Sequence, residues 1–296
     1  MKFAITAVGS GSTAHPENLV RIAQKAEELG YESLWCPEHL AVPLDMDSRY
    51  PYSDDGRFPG PPGVALHDPL IALAFAAGCT KRIKLGTGVF VLPLRNPLAV
   101  AKAVASLDVL SGGRVLFGVG IGWLREEFDA VGMPWDDRAA RGREWVKMLK
   151  TLWTEEEPSF SGRFHSFPKL GFNPKPVQKP HPPIIFGGET RPALKRTAEL
   201  GDGWYGTAYT PESVREPLRL LKEFAEAAGR RFSDFEVTVG LHRGQSPDRE
   251  SILRFAEAGV HRLIVFAPGF MPRARYETDL LPAMERFANE AIAKGL

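Results

Sequence analysis

Leu29-Gly30-Tyr31-Glu32-Ser33-Leu34-Trp35-Cys36 carries a helix end and a strand start in one short run. Leu29-Gly30 closes an amphipathic stretch. Glycine at such an end supplies the left-handed C-cap, and a tight turn then feeds a buried apolar strand. The same unit returns at Leu200-Gly201 before Gly203-Trp204-Tyr205, and at Ala258-Gly259 before Leu263-Ile264-Val265-Phe266. Strand and helix alternating along a whole chain imply parallel strands joined by crossover helices. The predicted fold class is therefore α/β, a (β/α)8 TIM barrel, with its chemistry at the C-terminal ends of the strands.

The bulk composition agrees. A chain of 296 residues with 44% hydrophobic content suits one such barrel with insertions, read as one domain over residues 1–296. A formal net charge of +1 favours neither nucleic acid nor an anionic membrane as partner. The apolar stretch Leu70 to Ala77 is too short to span a bilayer. The N-terminus runs straight into a strand, with no basic flank, so no signal peptide is expected and the location is expected to be cytoplasmic. Cys36 and Cys79 sit in apolar segments and read as two free thiols rather than a disulfide or metal ligands.

Eight strands are predicted, over residues 3–8, 33–37, 83–92, 114–120, 183–186, 203–205, 236–240 and 262–266. Asp68-Pro69 and Asn96-Pro97 each read as an N-cap followed by a first-turn proline. Further helices are predicted over 16–29, 138–152, 191–200, 211–228, 248–258 and about 275–294. Two insertions stand outside the repeat. Residues 41–67, after the second strand, are rich in Pro, Gly, Asp and aromatics and read as a lid. Residues 155–182, before the fifth strand, are punctuated by proline and hold a short hairpin at 161–167.

The strand ends are the candidate walls of a site. The second strand ends in Glu38-His39. A histidine there is able to exchange a proton near neutral pH, with a structural, hydrogen-bonded histidine as the competing reading. The third strand contains Gly86-Thr87-Gly88-Val89, and glycines inside a strand mark a bulge or a ligand close to the backbone. The fourth ends in Gly118-Val119-Gly120-Ile121-Gly122-Trp123. The glycine spacing is wrong for a dinucleotide fingerprint, and bare backbone at Gly120 and Gly122 leaves space for a flat ring. The fifth ends in Gly187-Gly188-Glu189-Thr190-Arg191 ahead of a helix. Free N–H groups and the positive dipole end suit a phosphate there, Thr190 adding a hydroxyl and Arg191 a charge; ordinary capping by Thr190 is the alternative.

Missing motifs narrow the chemistry. No HxH stands on the first strand and no HExxH occurs, so no metal is expected. The fourth and seventh strands lack a terminal Glu, against a retaining glycosidase. The sixth lacks an apolar-strand Lys, against a Schiff-base aldolase. A bound organic cofactor is the natural remaining source of reactivity.

Glu38-His39, Asp68-Pro69 through Leu85-Gly86-Thr87-Gly88-Val89, Asn96-Pro97, Ser111-Gly112-Gly113-Arg114 through Gly120-Ile121-Gly122-Trp123, Pro176-Val177-Gln178-Lys179-Pro180-His181-Pro182-Pro183, the Gly187-Gly188 turn and Leu200-Gly201-Asp202-Gly203-Trp204 follow in order. Together they resemble the bacterial luciferase-like monooxygenase superfamily, and within it the coenzyme F420-dependent oxidoreductases. The resemblance implies a flavin-like ring in the barrel mouth, with Glu38, Gly88, Val89, Gly120 and Gly122 as cofactor-binding residues. It implies a non-proline cis peptide at Gly88-Val89. It implies phosphate binding by Gly187, Gly188 and the N–H groups of Glu189, Thr190 and Arg191, and a catalytic role for His39 near the reacting carbon. One departure stands out: a related sugar-phosphate dehydrogenase has an acid where this chain has Trp123, so that acid role is not carried over.

The resulting expectation is hydride transfer between coenzyme F420 (a deazaflavin) and an organic substrate. The alternatives are an FMN-dependent two-component monooxygenase and a cofactor-binding protein without turnover. Expected partners are a small-molecule substrate, a second copy in a homodimer, and a flavin or F420 reductase as electron source.

Overall fold

A computed structural model describes residues 1–53, 55–58, 60, 63–241, 245–268 and 275–296. Asp54, Pro59, Pro61 and Pro62 of the expected lid lie outside the described residues. The strands are β1 (Lys2–Ile5), β2 (Ser33–Cys36), β3 (Lys84–Thr87), β4 (Phe90–Val91), β5 (Val115–Gly120), β6 (Phe160–Ser161), β7 (Ser166–Phe167), β8 (Ile184–Gly187), β9 (Gly203–Thr207), β10 (Glu236–Gly240) and β11 (Arg262–Phe266). The helices are α1 (Pro16–Glu28), α2 (Pro69–Cys79), α3 (Pro97–Ser111), α4 (Arg125–Ala130), α5 (Arg138–Thr154), α6 (Arg191–Leu200), α7 (Arg215–Ala227), α8 (Arg249–Glu257) and α9 (Leu281–Phe287).

The sheet order β3-β2-β1-β11-β10-β9-β8-β5 closes through β3–β5, and all its pairings are parallel. This is a closed eight-stranded TIM barrel. β4 continues the path of β3 beyond a break at Gly88-Val89, whose peptide is cis, and pairs with the end of β5. β6 and β7 form the expected hairpin inside the second insertion.

The local signals act as read. Asp68 accepts from the N–H groups of Leu70 and Ile71, and Asn96 from those of Leu98 and Ala99, each satisfying donors that a helix start leaves open. Several boundaries differ, among them the start of α7 at Arg215 rather than 211. β1 stops at Ile5 because the chain turns at Ala7, whose φ is 57° and whose carbonyl accepts from Ser10 and Thr13. The last helical stretch is α9 flanked by π-type turns at Tyr276–Leu280 and Ala288–Ile292. The short α4 has no counterpart in the sequence reading.

A large apolar layer fills the space between strands and helices, and a smaller cluster of Ala4, Trp35, Leu116, Ile185 and Ile264 fills the barrel itself. Trp35 stacks on Tyr205 there, with centroids 5.5 Å apart and planes 7° from parallel. A Cβ at Gly86 would stand 2.5 Å from the Trp35 ring, and one at Gly118 would stand 1.8 Å from the Thr87 carbonyl oxygen. These two glycines make room for protein rather than for a ligand.

At the N-terminal end, the fully buried Arg262 closes the barrel. Its guanidinium donates to Glu32 Oε2 at 2.7 Å, to Glu32 Oε1 and Glu236 Oε1 at 2.9 Å, and to Thr238 Oγ1 at 2.9 Å. Burial raises the Glu32 carboxyl, but Arg262, with help from Ser33 and Lys84, outweighs it and holds the group at about 2.

Candidate functional site

The opposite, C-terminal end opens into a cavity of about 910 Å³. Every strand-end segment singled out in the sequence contributes to it. His39, Glu38, Gly88, Val89, Gly120, Gly122, Gly187, Gly188, Glu189 and Thr190 all line it. Tyr50, Tyr52 and Phe58 of the first insertion form its roof. That insertion is pinned at its far end by Gly11 N–H on the Ala65 carbonyl and His67 N–H on the Gly9 carbonyl. Its near end is held by α4.

His39 is almost buried. Its Nδ1 lies 3.0 Å from Oε2 of Glu127, a fully buried α4 carboxylate whose Oε1 accepts from Leu40 N–H at 2.5 Å and Ala41 N–H at 3.3 Å. The imidazole meets Phe58 and Trp123 edge-to-face at 5.1 and 5.7 Å, and Tyr50 packs on both of those rings. Apart from that carboxylate the ring's neighbours are aromatic and it is largely shielded from solvent, a setting in which a positioned proton donor or acceptor is effective.

Glu38 has a different surrounding from His39. Its buried carboxylate accepts from Val91 N–H and from Arg95, and Arg95 also reaches Asp68 at 3.0 Å. Both oxygens are engaged by protein groups, so the residue fixes β4 and the α2 start at the cavity wall.

Val89 shapes the floor. A Cβ at Gly120 would stand 2.8 Å from its Cγ2, and one at Gly187 2.9 Å from its Cγ1. At Gly122, with φ of 85°, a Cβ would press on Phe128 and Val91. The glycines at 120, 122 and 187 thus accommodate side chains of the barrel as well as leaving open backbone beside the cavity.

The start of α6 forms the other end of the cavity. Gly188 has φ of 110°, Thr190 caps the helix through Ala193 N–H, and Trp204 Nε1 donates to the Gly188 carbonyl at 2.9 Å. Glu189 accepts from Thr207 N–H at 2.9 Å. Burial raises its carboxyl, against the lowering effect of that N–H and of Tyr209.

Arg191 does not join the other predicted residues. It is exposed, lies outside the cavity lining and sits 5.3 Å over the Phe224 ring. Arg196 and Arg138 face the cavity instead. Arg196 is buried, and burial, reinforced by Arg143 and Arg138, lowers it to about 10. Its Nε is buried with no partner among the described residues, an arrangement that an anion would complete. Arg138 stacks on Trp135 at 3.5 Å and donates to the Gly122 carbonyl at 3.3 Å. The sequence signals were present but unassigned: a second arginine on the helix after the Gly-Gly turn, and one at the start of α5.

Among the described residues no cluster of His, Cys, Asp and Glu is placed to hold a metal, and no helix is long and apolar enough to cross a membrane.

Residues 1–294 match the family model for luciferase-like monooxygenases. The chain belongs to the luciferase-like monooxygenase family. An uncharacterized protein of Mycobacterium tuberculosis is 34% identical over 267 residues, covering 90% of this chain and 91% of that one. An F420-dependent glucose-6-phosphate dehydrogenase of Amycolatopsis mediterranei is 31% identical over 250 residues, covering 80% and 68%. An FMNH2-dependent dimethylsulfone monooxygenase of Pseudomonas putida is 33% identical over 212 residues, covering 71% and 53%. The fold matches the coenzyme F420-dependent tetrahydromethanopterin reductase of Methanopyrus kandleri with a TM-score of 0.74 over 99% of both chains at 18% identity. Luciferase-like relatives therefore include both deazaflavin and flavin oxidoreductases.

Proposed function

We propose that this protein is an oxidoreductase that moves a hydride between coenzyme F420 and an organic substrate. One observation carries the reading. A single cavity has a histidine backed by a buried carboxylate at one end and, at the other, a helix start with the buried Arg196 beside it, whose Nε has no partner among the described residues. Its volume is at the upper end of the usual range for ligand sites, as a ring, a phosphate-bearing tail and a substrate would require.

The residues present fit such a cofactor. Gly187, Gly188 and the N–H groups of Glu189, Thr190 and Arg191 would cradle its phosphate, with Arg196 and Arg138 as cations. Gly88, Val89, Gly120 and Gly122 would bed its ring. When bound, a deazaflavin supplies two-electron hydride chemistry. The chain's own part is to orient the substrate, exclude water beneath the aromatic roof and exchange a proton at His39.

The relatives favour F420 by coverage, since the F420-dependent dehydrogenase aligns over more of both chains than the FMNH2-dependent enzyme. The 33% identity to the latter supports a second reading, an FMN-dependent monooxygenase fed by a reductase. Titration of the purified chain with oxidised and reduced F420 and FMN, read by absorbance and followed by oxygen uptake, separates them. Binding of F420 alone without oxygen uptake is expected. FMN-only binding with oxygen uptake selects the second reading, and binding with no turnover of any substrate leaves a carrier.

Arg196→Met should weaken cofactor binding by about 10- to 100-fold, the worth of a charge-assisted hydrogen bond. Arg191→Met should leave it nearly unchanged, because that guanidinium faces Phe224. Equilibrium dialysis of both variants checks the pair, and the reverse order would return the phosphate contact to Arg191.

A second copy of the chain is proposed to pack on α2. This helix is apolar on every side, and its solvent face, Ile71, Ala74, Phe75 and Gly78, has no polar member. Ile71 is 71% exposed, and Leu110 on the neighbouring α3 is 78% exposed. A helix apolar all round is normally covered, and a two-fold dimer is the commonest way to cover it. Ile71→Lys with Phe75→Glu should convert a dimer into a folded monomer in sedimentation experiments. A wild-type monomer would end this proposal. Two free cysteines accord with a cytoplasmic setting.

A further inference from the structure

We propose that Glu127 is a positioning residue. It fixes the hydrogen of His39 on Nδ1, leaves Nε2 as the bare nitrogen on the cavity side, and ties that state to the root of the lid. The inference rests on the reading of His39 as the proton-exchanging group.

The argument starts with α4. Gly122, in the left-handed region, turns the chain out of β5, and Phe128 is fully buried against Val91 and Leu94. This anchor fixes a six-residue helix whose two successive glutamates face the first insertion. Glu126 Oε1 accepts from Asp47 N–H at 2.7 Å and Ser48 N–H at 2.9 Å, and Ser48 Oγ accepts from Arg125 N–H at 3.1 Å. Glu127 holds Leu40 and Ala41, the residues that leave β2 for the lid. The helix therefore grips the near end of the lid at two points.

Only Glu127 also reaches the imidazole. A carboxylate has no hydrogen to give, so at 3.0 Å from Oε2 the Nδ1 of His39 must be the donor. The neutral ring then carries its lone pair on Nε2. One carboxylate thus sets both the chemistry of the ring and the path of the backbone next to it. If the lid root moves away from Glu127, the imidazole loses its orienting partner in the same motion.

The test uses the cofactor-free full chain labelled with 15N-histidine, reading the hydrogen position on His39 by two-bond nitrogen–proton correlation. Loss of signal in His39→Gln assigns the resonance. The Nδ1–H form should dominate by about tenfold or more in the wild type, as a charge-assisted hydrogen bond allows. Glu127→Gln keeps the shape but turns an NH2 group toward Nδ1, so Nε2–H should dominate instead. Glu126→Gln should keep the wild-type pattern. In Glu127→Ala, amide exchange at Leu40 and Ala41 should speed up about tenfold or more, while Asp47 and Ser48 change little. A wild-type Nε2–H ring, or an unchanged ring in folded Glu127→Gln, would overturn the positioning role. Unchanged exchange at Leu40 and Ala41 would remove the link to the lid. Neither readout needs turnover, so a His39→Ala variant with full activity would sink the proton role of His39 and leave the hydrogen placement standing.

Discussion

His39→Ala is expected to lower turnover by about 10²- to 10⁴-fold while cofactor affinity stays close to that of the wild type. The loss follows from geometry. His39 lines the cavity beside the Gly88-Val89 floor, and its ring is shielded from water by Phe58 and Trp123. Hydride movement to or from a carbon bearing oxygen or nitrogen needs a proton to move as well. Solvent is a poor substitute beneath that roof. The proposed phosphate cradle at the α6 start lies at the other end of the cavity, so binding should survive. Measuring turnover and cofactor dissociation on one preparation separates the two effects. The partner residue adds an internal check: with Glu127→Gln on top of His39→Ala, little further loss is expected, because residues acting as a unit are not additive. Wild-type turnover in His39→Ala would make the histidine structural.

Arg262→Met is expected to destabilise the barrel by about 3–5 kcal/mol. The arginine is fully buried, and its replacement takes away the cation shared by Glu32, Glu236 and Thr238 beneath Trp35, leaving Glu32 to Lys84 and Glu236 to Lys2 at the barrel rim. Urea unfolding of the two proteins gives the difference directly. The pair also predicts a pH signature. Glu32 is held at about 2 in the folded chain, against an ordinary value of 4.5. A depressed folded-state value contributes stability above the unfolded value, and that contribution drains as pH falls from about 4.5 toward 2. The wild type should lose stability across that window, and Arg262→Met should lose less. Parallel acid-unfolding curves would show that this buried pair does not govern acid sensitivity.

Legibility in the sequence followed the range of the interaction. The caps at Asp68-Pro69 and Asn96-Pro97, the Gly-Gly turn before α6 and the hairpin in the second insertion depend on neighbours a few residues away, and each was readable. The contacts that define the site are long-range. Glu127 stands 88 residues from His39, in a helix too short to show a period. Arg191 reads as the phosphate cation because it is closest to the turn, yet Arg196, about 140° further around the helix, is the one that faces the cavity. Glycines are ambiguous in the same way. The third-strand glycines read as a bulge or a ligand approach, and at Gly86 it is the Trp35 ring, not a ligand, that occupies the space a side chain would take, as the Thr87 carbonyl does at Gly118.

Val89 binds the future of three strands together. Its two methyl groups stand where the side chains of residues 120 and 187 would begin. A drift to alanine at either position collides with it, whereas a drift at 89 to a smaller residue harms neither. Substitutions in descendants of this chain should therefore have an order, with position 89 shrinking before 120 or 187 grows. A mutant library that samples the three positions one at a time would miss the combinations that reshape the mouth of the barrel.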